Sequence, residues 1–453
     1  MSRQPHLVYL MADHLRTDVI GPYPSEYAKC PTPNIDAVAR NATVFDHHIT
    51  ACPLCCPTRS SIMTGTWTHR HGAITNGGPT NRVRDGFEYL PHRLADAGYR
   101  VVHAGVQHVR TERFTAHPGV EFLPEPPKGI AHSGLDVRDF KSPTLIRRPD
   151  GSYRVIFNSN AQTARWPDGA GTFYDVALAD QLVETIMRHD PNRPLALFGM
   201  FWAPHPPFVV PDPWWSQFPP DTPLALPPTV GVWCEGQSPL HLLHLPGHLG
   251  AAVPKQHWPR VWAAYFGLVA MLDACIGRVI DALKARGMYD DALVVITSDH
   301  GETLGAHALL QKMSMYEESV RVPFVAKFPG QERARRSGSL TNHVDVAPTL
   351  LALAGAEPLP AAVGVPLTPD GPAEERPYTF SEYHGNNAPD YHQWMVRSLR
   401  YKLIDTGPYG MELYDLQADP FEQRNLWPEP GHREACAELV QALSEFKSGY
   451  REA

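Results

Sequence analysis

The chain has 453 residues, 43% of them hydrophobic, which is enough for a large buried core and suggests two to three domains. A net charge of -8 with no long basic run gives no sign of a nucleic-acid partner. The seven cysteines are odd in number, and no ladder of CxxC pairs recurs, which argues against a disulfide framework and a structural zinc site.

In chain order, MSRQPHLVYLMADHLRTD lacks the basic start, long apolar run and small-residue cleavage site of a secretory signal. HLVYLMAD (6–13) reads instead as a first core strand, so the expectation is a cytoplasmic chain. FEYLPHRLADAG (87–98) reads as a helix and YRVVHAGVQH (99–108) as the next strand. The helix 175–189 precedes the strand within RPLALFGMFWAPH (193–205). Residues 204–260 are rich in proline and too long for an ordinary connection, so they read as a lid or insert. The long helix 258–287 carries Trp262, Phe266, Val269, Ile276, Val279, Ile280 and Leu283 as one apolar stripe. ALVVITSDHGE (292–302) follows as a strand, then helix 344–354 with Asp345 as cap and Pro348 in its first turn. No apolar run reads as long enough to cross a bilayer, so no membrane partner is expected.

Apolar strands alternating with amphipathic helices predict an α/β fold with a large, mainly parallel β-sheet flanked by helices over residues 1–370. After about residue 370 the short strand-like runs YTFSEYHG, WMVRSLRYKLI and MELYDL, then the helix 433–450, predict a smaller C-terminal α+β subdomain over 371–453.

In parallel sheets ligands bind at the carboxyl ends of the strands. Asp13 and His14, His108, His205, and Asp299 and His300 each follow a different apolar run. Any one could be a helix cap or a satisfied buried polar group; four together favour a metal or catalytic centre. Asp13, Asp299 and His300 suit a hard cation, the imidazole pulling somewhat towards Mn²⁺ or Zn²⁺. Arg59 and Lys312 are candidate anion holders. Asn76, in HGAITNGG, is read either as a contact to the transferred group or as a turn residue before Gly77–Gly78. Trp214 and Trp215 could stack on a substrate or pin their loop, and His241, His244 and His248 are read as loop residues.

At CCPTRSSIMTG (55–65) the chain resembles the formylglycine-dependent sulfatases of the alkaline phosphatase superfamily. The pattern is Cys or Ser, any residue, Pro, any residue, Arg, four residues, Thr-Gly, and falls on Cys55, Pro57, Arg59, Thr64 and Gly65. AGYRVVHAGVQH resembles the segment of a catalytic His, here His108, and APHPPF that of another, here His205. TSDHGETLGAHALLQKMSMYEESVRVPF resembles the second metal segment, with Asp299, His300 and Lys312, and LYDLQADPFEQRNL the C-terminal part. Three departures stand out. His14 replaces the second of two Asp residues, so it is either a ligand or a neighbour of the site. Val106–Gln107 stand where many relatives have Gly-Lys-x-His, so one substrate-facing cation is missing. Cys56 lies beside Cys55, and the register selects Cys55.

The resemblance implies an alkaline phosphatase-like fold. It implies conversion of Cys55 to 3-oxoalanine (formylglycine) by a formylglycine-generating enzyme and one divalent metal, Ca²⁺ first and Mn²⁺ or Mg²⁺ next, held by Asp13, Cys55, Asp299, His300 and His14. Catalysis would rest on Cys55, Arg59, His108, His205 and Lys312. One hydroxyl of the hydrated aldehyde attacks sulfur and the second, deprotonated by His108, expels inorganic sulfate. The expected substrate is a small-molecule or carbohydrate sulfate ester or sulfamate. The rival enzyme is a phosphonate monoester hydrolase or phosphodiesterase with the same nucleophile, and the non-enzyme alternative is a binding protein for a sulfated ligand. Homo-oligomer formation stays open.

Overall fold

The computed structural model describes residues 4–78, 81–126, 143–147, 153–157, 161–219, 221–386 and 391–450. Its centre is a sheet of eight strands: β1 (His6–Ala12), β2 (Thr43–Ile49), β3 (Arg100–Gly105), β4 (Val120–Phe122), β5 (Leu195–Met200), β6 (Ala292–Ser298), β7 (Phe324–Lys327) and β8 (Arg335–Asn342). Their spatial order is β8-β2-β7-β6-β1-β5-β3-β4, and β7 alone of these runs against its neighbours. β1, β5 and β6 are buried along their whole length, which is why they read as unbroken apolar runs rather than as alternating patterns.

The apolar stripe of the long helix is buried as expected, but the burial extends round the helix to Tyr265, Met271 and Leu272. Contrary to the sequence reading, the stretch Lys255–Ala285 is long and apolar enough for a membrane span by length and composition; here it is packed inside the fold. It lies against helix Tyr174–Arg188, while helix Cys55–Thr64 packs with Leu90–Asp96 and Val346–Ala354.

The start of helix Val346–Ala354 departs from expectation. Asn342 caps the turn before it, accepting the Val344 N–H at 3.3 Å, and Asp345 reaches back to the Asn342 N–H at 2.8 Å. Asp345 is therefore the returning half of a capping box, not the side-chain cap. The C-terminal subdomain is a four-stranded antiparallel sheet, β9 (Thr379–His384), β10 (His392–Arg397), β11 (Tyr401–Asp405) and β12 (Met411–Asp415), with helix Arg433–Lys447 against it.

Within 204–260 the chain forms short turns and helices with a buried interior, including Phe208, Val209, Val210, Leu240 and Leu249. Trp214 and Trp215 open the short helix Trp214–Gln217 and pack against the main core, which favours their pinning role. His241 and His244 are buried and share a 2.8 Å ring hydrogen bond; His244 lies in a bend as expected, whereas His241 falls in the short helix Pro239–Leu242 and His248 in helix Leu245–Ala251.

Candidate active site

β3, β5, β1 and β6 are adjacent and parallel, so their carboxyl ends share one edge. That edge receives Asp13 and His14 from β1, Asp299 and His300 from β6, and the turns carrying His108 and His205 from β3 and β5. At the end of β3, Gly105 has φ of +89°, and a Cβ there would stand 2.1 Å from the Met200 carbonyl oxygen. Only glycine lets the chain turn so close to β5. The turn directs the Val106 carbonyl at the Arg59 Nη1–H, 3.1 Å away.

Cys55 is the first residue of a ten-residue helix that is buried on every side. A helix N-terminus carries a partial positive charge, a favourable field for an anion at Cys55. Asn76 Oδ1 accepts the Cys56 N–H at 2.9 Å and so caps this helix from outside. Gly65, at φ +68°, ends it.

Arg59, one turn on, donates from Nη2 to Asp13 Oδ2 at 3.0 Å and from Nε to Asp299 Oδ2 at 3.0 Å. Both outer carboxylate oxygens are thereby taken, and both Oδ1 atoms stand 3.6 Å from His300 Nε2. His300 pairs its Nδ1 with the Gly301 carbonyl at 2.9 Å, which makes Nδ1 the donor and leaves the Nε2 lone pair facing inward. Burial, then the Lys312 charge, lower His300 to about 3, so the imidazole is neutral.

The Cys55 Sγ lies 3.1 Å from His300 Nε2, 3.1 Å from Lys312 Nζ and 3.6 Å from Asp13 Oδ1. Burial first, then the Asp13 carboxylate, hold this thiol well above its ordinary range. Burial works against the Lys312 charge, but the neighbouring Asp13 and Asp299 carboxylates favour it, and the ammonium is raised above its ordinary value.

Asp13, His14, Cys55 and His300 present ligand atoms within 4.8 Å of one another. With Asp299 Oδ1 beside them, two carboxylates and a neutral imidazole fit a hard or borderline divalent cation, and Arg59 and Lys312 balance the two acidic charges. His205 reaches the group through ring contact with His14, centroids 4.3 Å apart, while Asp175 holds its loop by accepting the Trp202 and Ala203 N–H groups at 2.7 and 3.0 Å. His108 is half-buried two residues beyond Val106. Cys56 is a buried packing residue, with Asn81 Nδ2 3.7 Å from its sulfur.

Sequence reasoning missed the supports. Thr50, after β2, donates to the Asp299 carbonyl at 2.7 Å and pairs with Thr58 at 2.9 Å; Thr58 meets His343 Nδ1 at 2.8 Å. Glu302 was also missed, although it follows β6 in the same DHGE run: its Oε2 lies 2.6 Å from His14 Nδ1.

A buried cysteine at a helix start, two cations and a converging set of oxygen and nitrogen donors at a parallel sheet edge are the parts of a hydrolytic site. A family model described as Sulfatase matches residues 5–356, and one described as N-sulphoglucosamine sulphohydrolase, C-terminal, matches 305–449. The chain belongs to the sulfatase family, whose members are sulfuric ester hydrolases.

Among similar proteins are the multifunctional alkaline phosphatase superfamily protein PehA of Trinickia caryophylli, 26% identical over 98% of this chain and 95% of that protein, and an arylsulfatase of Clostridium perfringens, 26% identical over 99% and 95%. A solved structure of a protein with its substrate D-glucosamine-2-N,6-O-disulfate aligns at a TM-score of 0.79 with 21% identity, covering 99% of this chain and 98% of that one. A phosphonate monoester hydrolase from Silicibacter pomeroyi aligns at 0.80 with 22% identity, covering 99% and 96%. These two likenesses show the fold.

Proposed function

We propose that this sulfatase hydrolyses a sulfate ester or sulfamate of a small molecule or carbohydrate, with formylglycine at position 55 as nucleophile and a divalent metal beside it. The observation that carries the reading is the position of the Cys55 sulfur, at 3.1 Å from both His300 Nε2 and Lys312 Nζ on the first turn of a buried helix. The sulfur stands in for the hydroxyls of the hydrated aldehyde. A neutral buried thiol is a weak nucleophile, so the site favours a modified side chain over the thiol itself.

Asp13, Asp299 and His300 would hold the cation, which when bound supplies Lewis acidity at a sulfuryl oxygen and at the nucleophilic hydroxyl. The aldehyde hydrate supplies one hydroxyl to attack sulfur and a second whose deprotonation releases sulfate. Arg59 fixes both carboxylates, so its part is to hold the donor set rigid. Lys312 neutralises charge on the transferred group. His108 takes a proton, and His205 stabilises the leaving oxygen.

Hydrolysis of a phosphonate monoester is the second reading, favoured by Val106–Gln107 in place of a substrate-facing lysine. Mass spectrometry of the tryptic peptide 41–59 tests the nucleophile: conversion lowers its mass by about 18 Da. An unmodified peptide from a host with an active modifying enzyme overturns the proposal. Kinetics on an aryl sulfate beside an aryl phosphonate monoester separate the two readings, and a large phosphonate preference selects the second.

A further inference from the structure

His14 is fully buried and sits at φ +71°, a left-handed conformation uncommon for any residue but glycine. Its backbone is fixed at both polar groups. The N–H faces Asp299 Oδ1 at 3.4 Å, and the carbonyl accepts the Tyr265 hydroxyl at 2.7 Å. The ring therefore has little freedom to turn.

On one side, Nδ1 lies 2.6 Å from Glu302 Oε2. The other oxygen of Glu302 accepts the backbone N–H groups of Leu304, at 3.1 Å, and Gln311, so this side chain is surrounded by donors. Burial raises the Glu302 carboxyl, but the two backbone N–H groups and the Lys312 charge favour its ionised form, which has only lone pairs to offer and makes Nδ1 the donor. Nε2 then carries the free lone pair. It meets Lys312 Nζ, and the same ammonium reaches the Cys55 sulfur at 3.1 Å.

We infer that Glu302 and His14 form a positioning relay: Glu302 fixes the His14 tautomer, and the Nε2 lone pair of His14 accepts a Lys312 N–H, aiming that ammonium at residue 55. His14 thus serves Lys312 instead of completing the metal donor set, although its Nε2 is only 3.5 Å from Asp13 Oδ1. The inference rests on the proposed function in one respect, that residue 55 is the reacting group.

Two measurements on the full chain decide it. In the first, Mn²⁺ or Ca²⁺ is titrated calorimetrically into chelator-treated protein. His14→Ala should bind within about threefold of the parent, whereas removing a true ligand would cost on the order of tenfold or more. In the second, turnover is followed through a double-mutant cycle. If His14 acts through Lys312, His14→Ala with Lys312→Ala should be no worse than Lys312→Ala alone, since two residues in one chain of contacts are non-additive.

Each single variant should lose about 10- to 100-fold in kcat with KM little changed, in the range for misplacing one charge-stabilising group. Glu302→Gln, which keeps an acceptor oxygen for Nδ1–H, should lose less than Glu302→Leu. A collapse of metal affinity in His14→Ala, or an additive cycle, overturns the relay. Should His14→Ala fail to fold, His14→Gln supplies the same two comparisons. Failure of the functional reading looks different: peptide 41–59 stays unmodified, while the calorimetry still reports on His14.

Discussion

Two of the buried charge clusters among the described residues contrast with each other. At the sheet edge, Asp13 Oδ1, His300 Nε2 and Lys312 Nζ converge on the Cys55 sulfur, with Arg59 holding Asp13 and Asp299 behind them. Where segment 307–318 meets the C-terminal subdomain, the charges close on one another. Lys402 lies 2.8 Å from Glu317 and 2.7 Å from Glu422, Arg397 pairs with Glu317 at 3.1 Å, and His307 faces Glu318 at 3.6 Å while stacking on Tyr316.

Burying charge is costly in both places. The second cluster offsets part of that cost through its own ion pairs. The first keeps donor atoms directed at a common point, as a group meant to receive a ligand must. The two differ in what the charges surround: a cysteine sulfur in the first, and carboxylates paired with Lys402 and Arg397 in the second.

The sharpest break between the clusters should come from Cys55→Ala. Turnover should fall by at least about 10⁴-fold, the scale seen when a covalent nucleophile is removed, with the thermal midpoint little changed. Retained turnover would remove Cys55 from the chemistry.

Lys402→Met should act the other way. It strips a cation from Glu317 and Glu422 in the closed cluster and should cost about 3–5 kcal/mol of stability, while kcat per folded molecule is unchanged. Urea denaturation and active-site-normalised kinetics read the two effects separately.

His307→Gln probes the same cluster by pH and should cost about 3 kcal/mol where the pair is fully formed. Burial alone would lower His307, but the Glu318 carboxylate more than offsets it and raises the imidazole to about 10; Glu318 in turn is held at about 2 despite burial. A raised histidine stabilises fully below its unfolded value of 6.5 and loses that effect as pH rises through about 10. A lowered carboxyl stabilises fully above 4.5 and loses the effect as pH falls through about 2. The difference in stability between parent and His307→Gln should thus be greatest between pH 4.5 and 6.5 and shrink on both sides. A difference independent of pH would mean the pair is not ionised.

Lys312→Met should lower kcat by about 10²-fold, as for one lost transition-state donor, with a smaller effect on stability than Lys402→Met. The smallest effect belongs to Asn76→Ala. Loss of the cap on the Cys55 helix should cost about 1 kcal/mol in a denaturant titration.

Much of this was legible in the linear chain, for reasons that differ by residue. β1, β5 and β6 are covered on both faces, so their runs are apolar without interruption and mark themselves. β2 was not legible: TVFDHHI carries an acid and two histidines, and His48 is acceptable in the interior only because Thr341 meets its Nδ1 at 2.9 Å and Phe324 stacks on its ring. Among candidate site residues, Cys55 and Arg59 stood out because one short motif fixes their spacing.

Sequence alone determined that polar groups would emerge at the carboxyl ends of several parallel strands and that Cys55 and Arg59 would stand four residues apart in one motif, because periodicity and motif spacing are local properties. Only the tertiary structure decided which groups meet. The order β3-β5-β1-β6 places Asp13 between the contributions of its neighbours, and the return of residues 302–312 sets Glu302 and Lys312 on opposite sides of His14. Such partnerships join residues up to 298 positions apart. They depend on how the chain crosses over and packs, which no local pattern encodes.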